Sequence, residues 1–91
     1  MKLQWTESGL SDLIRLHELL SPVNPKAAAK IVQSLTAAAG RLPEHPRIGE
    51  TLEQYRPREI RRILIGRYEM RYEIQDAIIS VLRIWHTRES R

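Results

Sequence analysis

The sequence contains neither cysteine nor phenylalanine. Without cysteine the chain has no disulfide bonds and no thiolate ligands for a metal ion. Without phenylalanine, two tryptophans and three tyrosines supply all of the aromatic packing. The sequence also lacks an apolar run long enough to span a bilayer and a charged-then-apolar leader. With 91 residues, 42% of them hydrophobic, we expect one domain over residues 1–91, soluble, cytoplasmic and without membrane contact.

Lysine is absent after Lys30, so the positive charge of the C-terminal part comes from arginine alone. Residues 1–55 hold six Lys or Arg and six Asp or Glu, whereas residues 56–91 hold nine Arg and five acids. The whole net charge of +4 therefore lies in the second stretch. Arginine favours planar, bidentate contacts with phosphate or carboxylate groups. Two interpretations stay open: an anionic partner, or a solvated sheet face with surface ion pairs.

The first half of the chain is predicted to form a strand and two helices. Residues 2–5 alternate between polar and apolar side chains, which indicates a short strand. Thr6 is suited to cap a helix over residues 7–20, where leucine and isoleucine recur at helical spacing. The Asn-Pro pair at 24–25 is typical of the start of a second helix, which we expect to end near residues 40–42.

The second half changes to the two-residue period of β-structure. Residues 42–57 contain three prolines and a glycine and are predicted to be a connecting loop. Three strands follow over residues 58–65, 68–75 and 78–85, and the last, apolar on both faces, should be central. This order predicts an α+β, two-layer β-α-α-β-β-β fold, in which a helix hairpin packs on a small antiparallel sheet.

Most enzyme classes have no supporting motif in this sequence. His17, His45 and His86 fall on different predicted elements, so no metal-binding spacing arises. The four glycines are isolated, not gathered in a phosphate-binding loop, and no serine occupies a nucleophile-elbow motif. We therefore expect no metal and no cofactor.

One reaction, RNA cleavage, remains compatible with the C-terminal residues. Attack by a 2′-hydroxyl requires a general acid, a general base and cations that stabilise the phosphate. His86 suits proton transfer because an unperturbed histidine has a pKa of about 6.5. Arg62, Arg71, Arg83 and Arg88 suit the phosphate, and Trp85 suits stacking on an RNA base. The alternative is that His86 is an ordinary surface side chain and Trp85 a core or interface anchor.

Short segments spread over the chain form a specific pattern through their order and spacing. They are Leu3-Gln4-Trp5-Thr6, Ser11-Asp12-Leu13, Asn24-Pro25-Lys26-Ala27-Ala28, the stretch 42–49, Arg58-Glu59-Ile60-Arg61, and the stretches 68–74 and 81–88. With these motifs the chain resembles, over nearly its whole length, the RelE/ParE superfamily of toxins from bacterial type II toxin–antitoxin systems.

The resemblance implies a RelE-like fold and a partner, the cognate antitoxin, whose C-terminal segment wraps the toxin in a heteromeric complex. It also implies one of two targets. RelE-like members enter the ribosome and cut mRNA, whereas ParE-like members inhibit DNA gyrase and are not known to cut RNA.

Three departures separate this chain from the ribonuclease branch. Glu69 stands where that branch commonly has an arginine, and an acid there would repel the scissile phosphate. The lysines that serve the ribosome-bound branch are missing, and no tyrosine follows Tyr72. His86 matches a catalytic histidine of some ribonuclease members, but ParE-like members carry a His-x-Arg ending as well. We therefore predict a ParE-like gyrase inhibitor with no catalytic residues.

The alternatives are a ribosome-dependent mRNA endonuclease that uses His86, Arg71 and Arg62, and an inactive relic that only binds antitoxin. The predicted contact residues form two groups. The target would be bound by Trp85, His86, Arg88, Arg91 and Arg83. The antitoxin would be bound by exposed apolar residues, namely Leu16, Leu19, Leu20 and Val23.

Overall fold

The helices and strands follow the predicted order, with two additions inside the predicted loop. The computed structural model describes residues 1–89. The elements are β1 (Lys2–Trp5), α1 (Glu7–Leu20), α2 (Pro25–Arg41), β2 (Glu50–Thr51), a 3₁₀ helix (Glu53–Tyr55), β3 (Glu59–Ile65), β4 (Tyr68–Gln75) and β5 (Ile78–His86). The additions are β2 and the 3₁₀ helix, which are too short to give a periodic signal in the sequence.

Both α-helices begin at the caps predicted from the sequence. The Thr6 hydroxyl accepts a hydrogen bond from the Gly9 amide at 3.0 Å, and the Asn24 side chain accepts one from the Ala27 amide at 3.1 Å. These bonds satisfy amides that have no partner inside the first turn. The Thr6 hydroxyl also donates to the carbonyl of Val81 at 2.8 Å, which ties the start of α1 to the sheet. Among residues 1–89, neither helix is long and apolar enough to cross a membrane.

The five strands form one mixed sheet in the order β1-β5-β4-β3-β2. β5 lies between β1 and β4 as far as Val81, so over this length it is an interior strand, as predicted. The α+β, two-layer fold is confirmed, but the sheet is not wholly antiparallel, because β1 pairs with β5 in parallel. Parallel pairing needs a long connection between the strands, and here the helices and β2 to β4 supply it.

The hydrophobic core lies between the two helices and one face of the sheet. Its buried members are Leu13, Leu16, Leu35, Ala39, Leu42, Met70, Tyr72, Ile74, Ile79, Val81 and Ile84. Leu16 was predicted to be an exposed antitoxin contact, and this is wrong: it is 6% exposed because it lies on the inward side of α1. Neither α1 nor α2 lies on the opposite side of the sheet, which is called the open face below.

A register shift in the middle of β5 decides which side chains reach the open face. Tyr72 of β4 pairs with Val81, but its neighbour Arg71 pairs with Arg83, so Leu82 is an extra residue in β5. Such a bulge reverses the alternation of the strand beyond it. Before the bulge the odd-numbered residues face the helices, and after it the even-numbered residues do. Arg83 and Trp85 therefore lie on the open face.

Tyr72 anchors the loop that leads from α2 into the sheet. Its side chain is fully buried, and its hydroxyl donates to the carbonyl of Pro46 at 2.8 Å and accepts from the amide of Gly49 at 2.9 Å. Burial raises the pKa of the Tyr72 hydroxyl, although the Gly49 bond opposes this change. The two hydrogen bonds of Tyr72 thus fix the loop to the sheet, and this holds β2 beside β3.

Gly9 allows the first turn of α1 to approach the central strand closely. A Cβ atom at this position would lie 2.5 Å from the carbonyl oxygen of Val81, which belongs to the backbone and cannot turn aside. Gly40, near the end of α2, has no atom within 4 Å of the equivalent position. The fold therefore has no room for a side chain at position 9, whereas it has room for one at position 40.

We expect Gly9→Ala and Gly40→Ala to change stability in opposite directions. Gly9→Ala should lower the free energy of unfolding by about 2 kcal/mol because α1 must move away from β5. Gly40→Ala should raise it by about 0.5–1 kcal/mol, since alanine restricts the unfolded chain and favours a helix. Urea unfolding of both variants measures the two effects. Equal effects of the same sign would contradict the close approach at Gly9.

Candidate functional site

Three arginines form a row across the open face. Arg62 of β3 is the register partner of Arg71 of β4, which is in turn the partner of Arg83 of β5. Side chains of directly paired residues lie on the same face, and like charges in such positions repel each other. The row is therefore stable only with negative charges beside it.

Each arginine of the row has a carboxylate from the same chain. Glu69, whose side chain is 2% exposed, lies 2.8 Å from Nε of Arg71 and 3.5 Å from Nη1 of Arg62. Arg62 also donates to Glu50 at 3.0 Å, and Arg83 donates to Asp12 at 2.7 Å. The three positive charges thus face three negative charges, and the row as a whole is neutralised internally.

Trp85 lies beneath two of these arginines. The guanidinium carbons of Arg71 and Arg83 are 4.8 and 5.7 Å from the centre of its ring, which are distances typical of cation–π contacts. Trp85 is only 7% exposed. It was predicted to contact a target, but it is largely buried beneath the two arginines.

Asp12 joins α1 to the outer half of β5. β1 ends at Trp5, so no strand among residues 1–89 covers the edge of β5 beyond Val81. There the Asp12 carboxylate accepts from the Ile84 amide at 2.9 Å, and Arg15 donates to the Ile84 carbonyl at 3.3 Å. Burial alone would raise the pKa of Asp12, but hydrogen bonds from Arg83 and Ile84 and the nearby positive charges lower it below its ordinary 3.8.

His86 lies on the helix side of β5, away from the arginine row. Its ring packs edge-on against Tyr68 with 5.1 Å between centroids, in a groove of about 340 Å³ beside α2. Its Nδ1 accepts from the backbone amide of Arg88 at 3.0 Å. The residues predicted for RNA cleavage, His86 with Arg62 and Arg71, are therefore on opposite faces. Within residues 1–89 no group of His, Asp and Glu is placed to hold a metal ion.

Two exposed arginines, one in the turn after β5 and one in the turn between β3 and β4, have no carboxylate partner within the described residues. Arg88 is exposed and makes no ion pair, and the amide of the preceding Thr87 donates to the carbonyl of Arg67 at 2.8 Å. Arg67 is also exposed and unpaired, and sequence reasoning missed it because it occupies a turn far from Arg88 in the chain. Glu89 binds Arg15, which fixes the turn against α1. Arg91, a predicted target contact, lies outside the described residues.

The other predicted antitoxin contacts lie at the end of the helix hairpin. Leu19 is 63% exposed and Val23 is 83% exposed, while Leu20 is half-buried. α1 also exposes Leu10 and Ile14, which the sequence did not single out because their spacing matches that of the core residues. Together these residues give the hairpin an outward apolar surface.

A second apolar surface lies at the edge of β3. β2 pairs only with Arg61 and Arg62, so in the described part of the chain no strand covers Ile63 to Ile65 on that side. A groove of about 530 Å³ borders this edge. Its lining includes the exposed residues Ile48 and Leu64, with Leu42 of the core at its base. An open edge beside an apolar groove is suited to an added strand.

The sequence model described as the ParE toxin of the type II toxin–antitoxin system parDE matches residues 3–91. The chain belongs to the ParE toxin family. This assignment confirms the predicted RelE/ParE relationship and its ParE-like branch. Among curated protein sequences none is similar enough to count as a match.

Two solved structures are similar to this ParE-family chain in fold. One is described as a chromosomal ParDE toxin–antitoxin system from P. aeruginosa; it has a TM-score of 0.79 and 21% identity and covers 94% of this chain and 95% of the other. The other, a conserved hypothetical protein from Helicobacter pylori, has a TM-score of 0.58 and 19% identity, with 98% and 97% coverage. At these identities the likeness concerns the fold.

We expect Asp12→Asn to destabilise the protein in a pH-dependent way. The amide still accepts from Ile84 but loses the charge that faces Arg83, so the free energy of unfolding should fall by about 2 kcal/mol at neutral pH. The pKa of Asp12 is lower in the folded than in the unfolded protein. The ionised carboxylate therefore contributes fully to the free energy of unfolding above the unfolded-state pKa of about 3.9. This contribution is lost as the pH falls through the folded-state pKa.

Urea unfolding of the wild type and the variant across this pH range measures the effect. Their difference should shrink below about pH 4. Glu53→Gln is the control, because Glu53 is exposed and its pair with Arg56 should not contribute measurably. A difference that stays constant down to the lowest pH would exclude the charge of Asp12 as its cause.

Proposed function

We propose that this protein is the toxin of a type II toxin–antitoxin pair, that it inhibits DNA gyrase by binding, and that it does not cut RNA. Membership of the ParE family supports the first part. The observation that carries the last part, the absence of RNA cleavage, is the separation of His86 from Arg62 and Arg71 by the sheet. A proton-transfer group and phosphate-binding cations must meet at one phosphate to cleave it, and here Arg62 and Arg71 lie on the face opposite His86.

The proposed target contact is the end of the sheet where β5 finishes. Arg88 is exposed and unpaired there, with Arg67 beside it and His86 at the rim of the adjacent groove. Arg83 lies near this end of the sheet and is half exposed, although it is paired with Asp12. We extend the contact to Arg91 because it follows Arg88 by three positions.

The test is inhibition of DNA supercoiling by purified gyrase, together with trapping of the gyrase cleavage complex. We expect the wild type to inhibit at micromolar concentration and Arg88→Gln to be about tenfold weaker, because it loses a charged contact with the target. Arg41→Gln is the matched control, since Arg41 is also exposed and makes no ion pair but lies at the end of α2.

Three results would contradict the proposal. An absence of inhibition by the wild type at micromolar concentration would exclude gyrase as the target. Codon-positioned mRNA cuts on translating ribosomes that disappear in His86→Ala would instead identify an mRNA endonuclease. Normal growth after induction without antitoxin would indicate a relic that has lost its toxicity.

The antitoxin is proposed to cover the two apolar surfaces described above. An amphipathic helix suits the exposed residues of the hairpin, and an extended segment suits the open edge of β3. Acidic side chains in that segment would meet the basic rim of the groove, which includes Arg41. The complex would then bury the largest apolar surfaces of the toxin.

Substitution of one leucine on each surface tests this arrangement. Leu19 and Leu64 are both 63% exposed, so Leu19→Asp and Leu64→Asp should leave thermal unfolding of the free toxin nearly unchanged. Each should weaken binding of the cognate antitoxin by about tenfold or more, since an aspartate in an apolar contact loses its hydration. Ala37→Asp, on an exposed position of α2, is the control. Unchanged antitoxin affinity in both variants would refute the proposed surfaces.

A further inference from the structure

Glu69 is a buried acid on the face of the sheet that has no core above it. Its two oxygens face two arginines, with Oε2 at 2.8 Å from Nε of Arg71 and Oε1 at 3.5 Å from Nη1 of Arg62. Convergence of two guanidinium groups on a small anion is the arrangement by which arginines bind phosphate. The Glu69 carboxylate therefore occupies a position whose surrounding groups are suited to bind a phosphate.

The arginine at the centre of this position is held in place by other residues as well. Arg71 donates to the hydroxyl of Tyr55 at 3.0 Å and stacks on Trp85 at 4.8 Å. These contacts are neutral and do not compete with an anion. Arg71 therefore keeps its orientation when Glu69 is removed, and the site stays organised for a ligand.

Glu69 differs from the other acids of the open face. Glu50 also binds Arg62, but its side chain is 64% exposed and lies at the outer end of the row. Glu73 follows Glu69 by four residues on the same face and binds Arg58 at 2.9 Å, away from the row. Only Glu69, among these three, lies between two arginines.

We propose that Glu69 is a specificity-determining residue that occupies a phosphate position between Arg62 and Arg71 and so keeps nucleic-acid phosphates off the open face. A phosphate that approaches the row meets a buried negative charge and has no vacant guanidinium pair. The row then contributes to folding and not to RNA binding. This inference goes beyond the proposed gyrase inhibition, since it concerns nucleic-acid binding by the isolated protein.

Replacement of Glu69 with alanine tests the proposal by chemical rescue. Glu69→Ala removes both the charge and the volume of the carboxylate, so inorganic phosphate should enter the site. We expect phosphate, compared with chloride at equal ionic strength, to raise the Tm of Glu69→Ala by about 5 °C or more. The wild type should shift by much less. The variant should also bind an unstructured single-stranded RNA about tenfold more tightly than the wild type, with a steeper salt dependence.

Glu73→Ala is the matched control, because it removes the same charge from the same strand and face. Its response to phosphate and RNA should equal that of the wild type, which separates a specific site from a general gain of positive charge. If Glu69→Ala unfolds, phosphate should restore its folded circular dichroism signal. The proposal fails if phosphate neither stabilises nor refolds Glu69→Ala, or if Glu73→Ala gains as much RNA affinity. It also fails if the wild type already binds RNA as tightly as the variant.

Discussion

The hydrogen bonds between Asp12 and the outer half of β5 hold the first helix to the end of the sheet. β1 stops at Trp5, and without a neighbour the rest of this edge would expose unpaired backbone groups. Asp12 and Arg15 satisfy the amide and carbonyl of Ile84 from the first helix. The same carboxylate holds Arg83, so one side chain connects the helix layer, the central strand and the arginine row.

The net charge of a segment does not indicate which of its arginines can bind a partner, because some of them are already paired with carboxylates of the same chain. All of the net positive charge of the sequence lies in residues 56–91, yet the three arginines of the open-face row each face an internal carboxylate. The arginines that remain unpaired in the described chain are Arg41, Arg67 and Arg88. The basic character available to a partner is therefore found at the periphery of the sheet and not on its face.

The sequence predicted the helices well because their caps are local signals, and Thr6 and Asn24 make the hydrogen bonds that define the helix starts. It did not predict the burial of Leu16, because α1 carries apolar residues on more than one side. The parallel pairing of β1 with β5 depends on residues more than 70 positions apart. The faces of Trp85 and His86 were also unpredictable, since the bulge that sets them depends on the register with β4.

The extra residue at Leu82 gives this fold a simple route to diversity. If β5 formed no bulge at Leu82, continued alternation from Val81 would turn residue 85 toward the helices and residue 86 toward the open face. The His86 side chain would then lie on the same face as the arginine row, and the Trp85 indole would leave that face. A shift of strand register, with every residue retained, would thus exchange the chemistry of the exposed surface, so proteins of this shape can diverge in what they act on through strand register as well as through substitution.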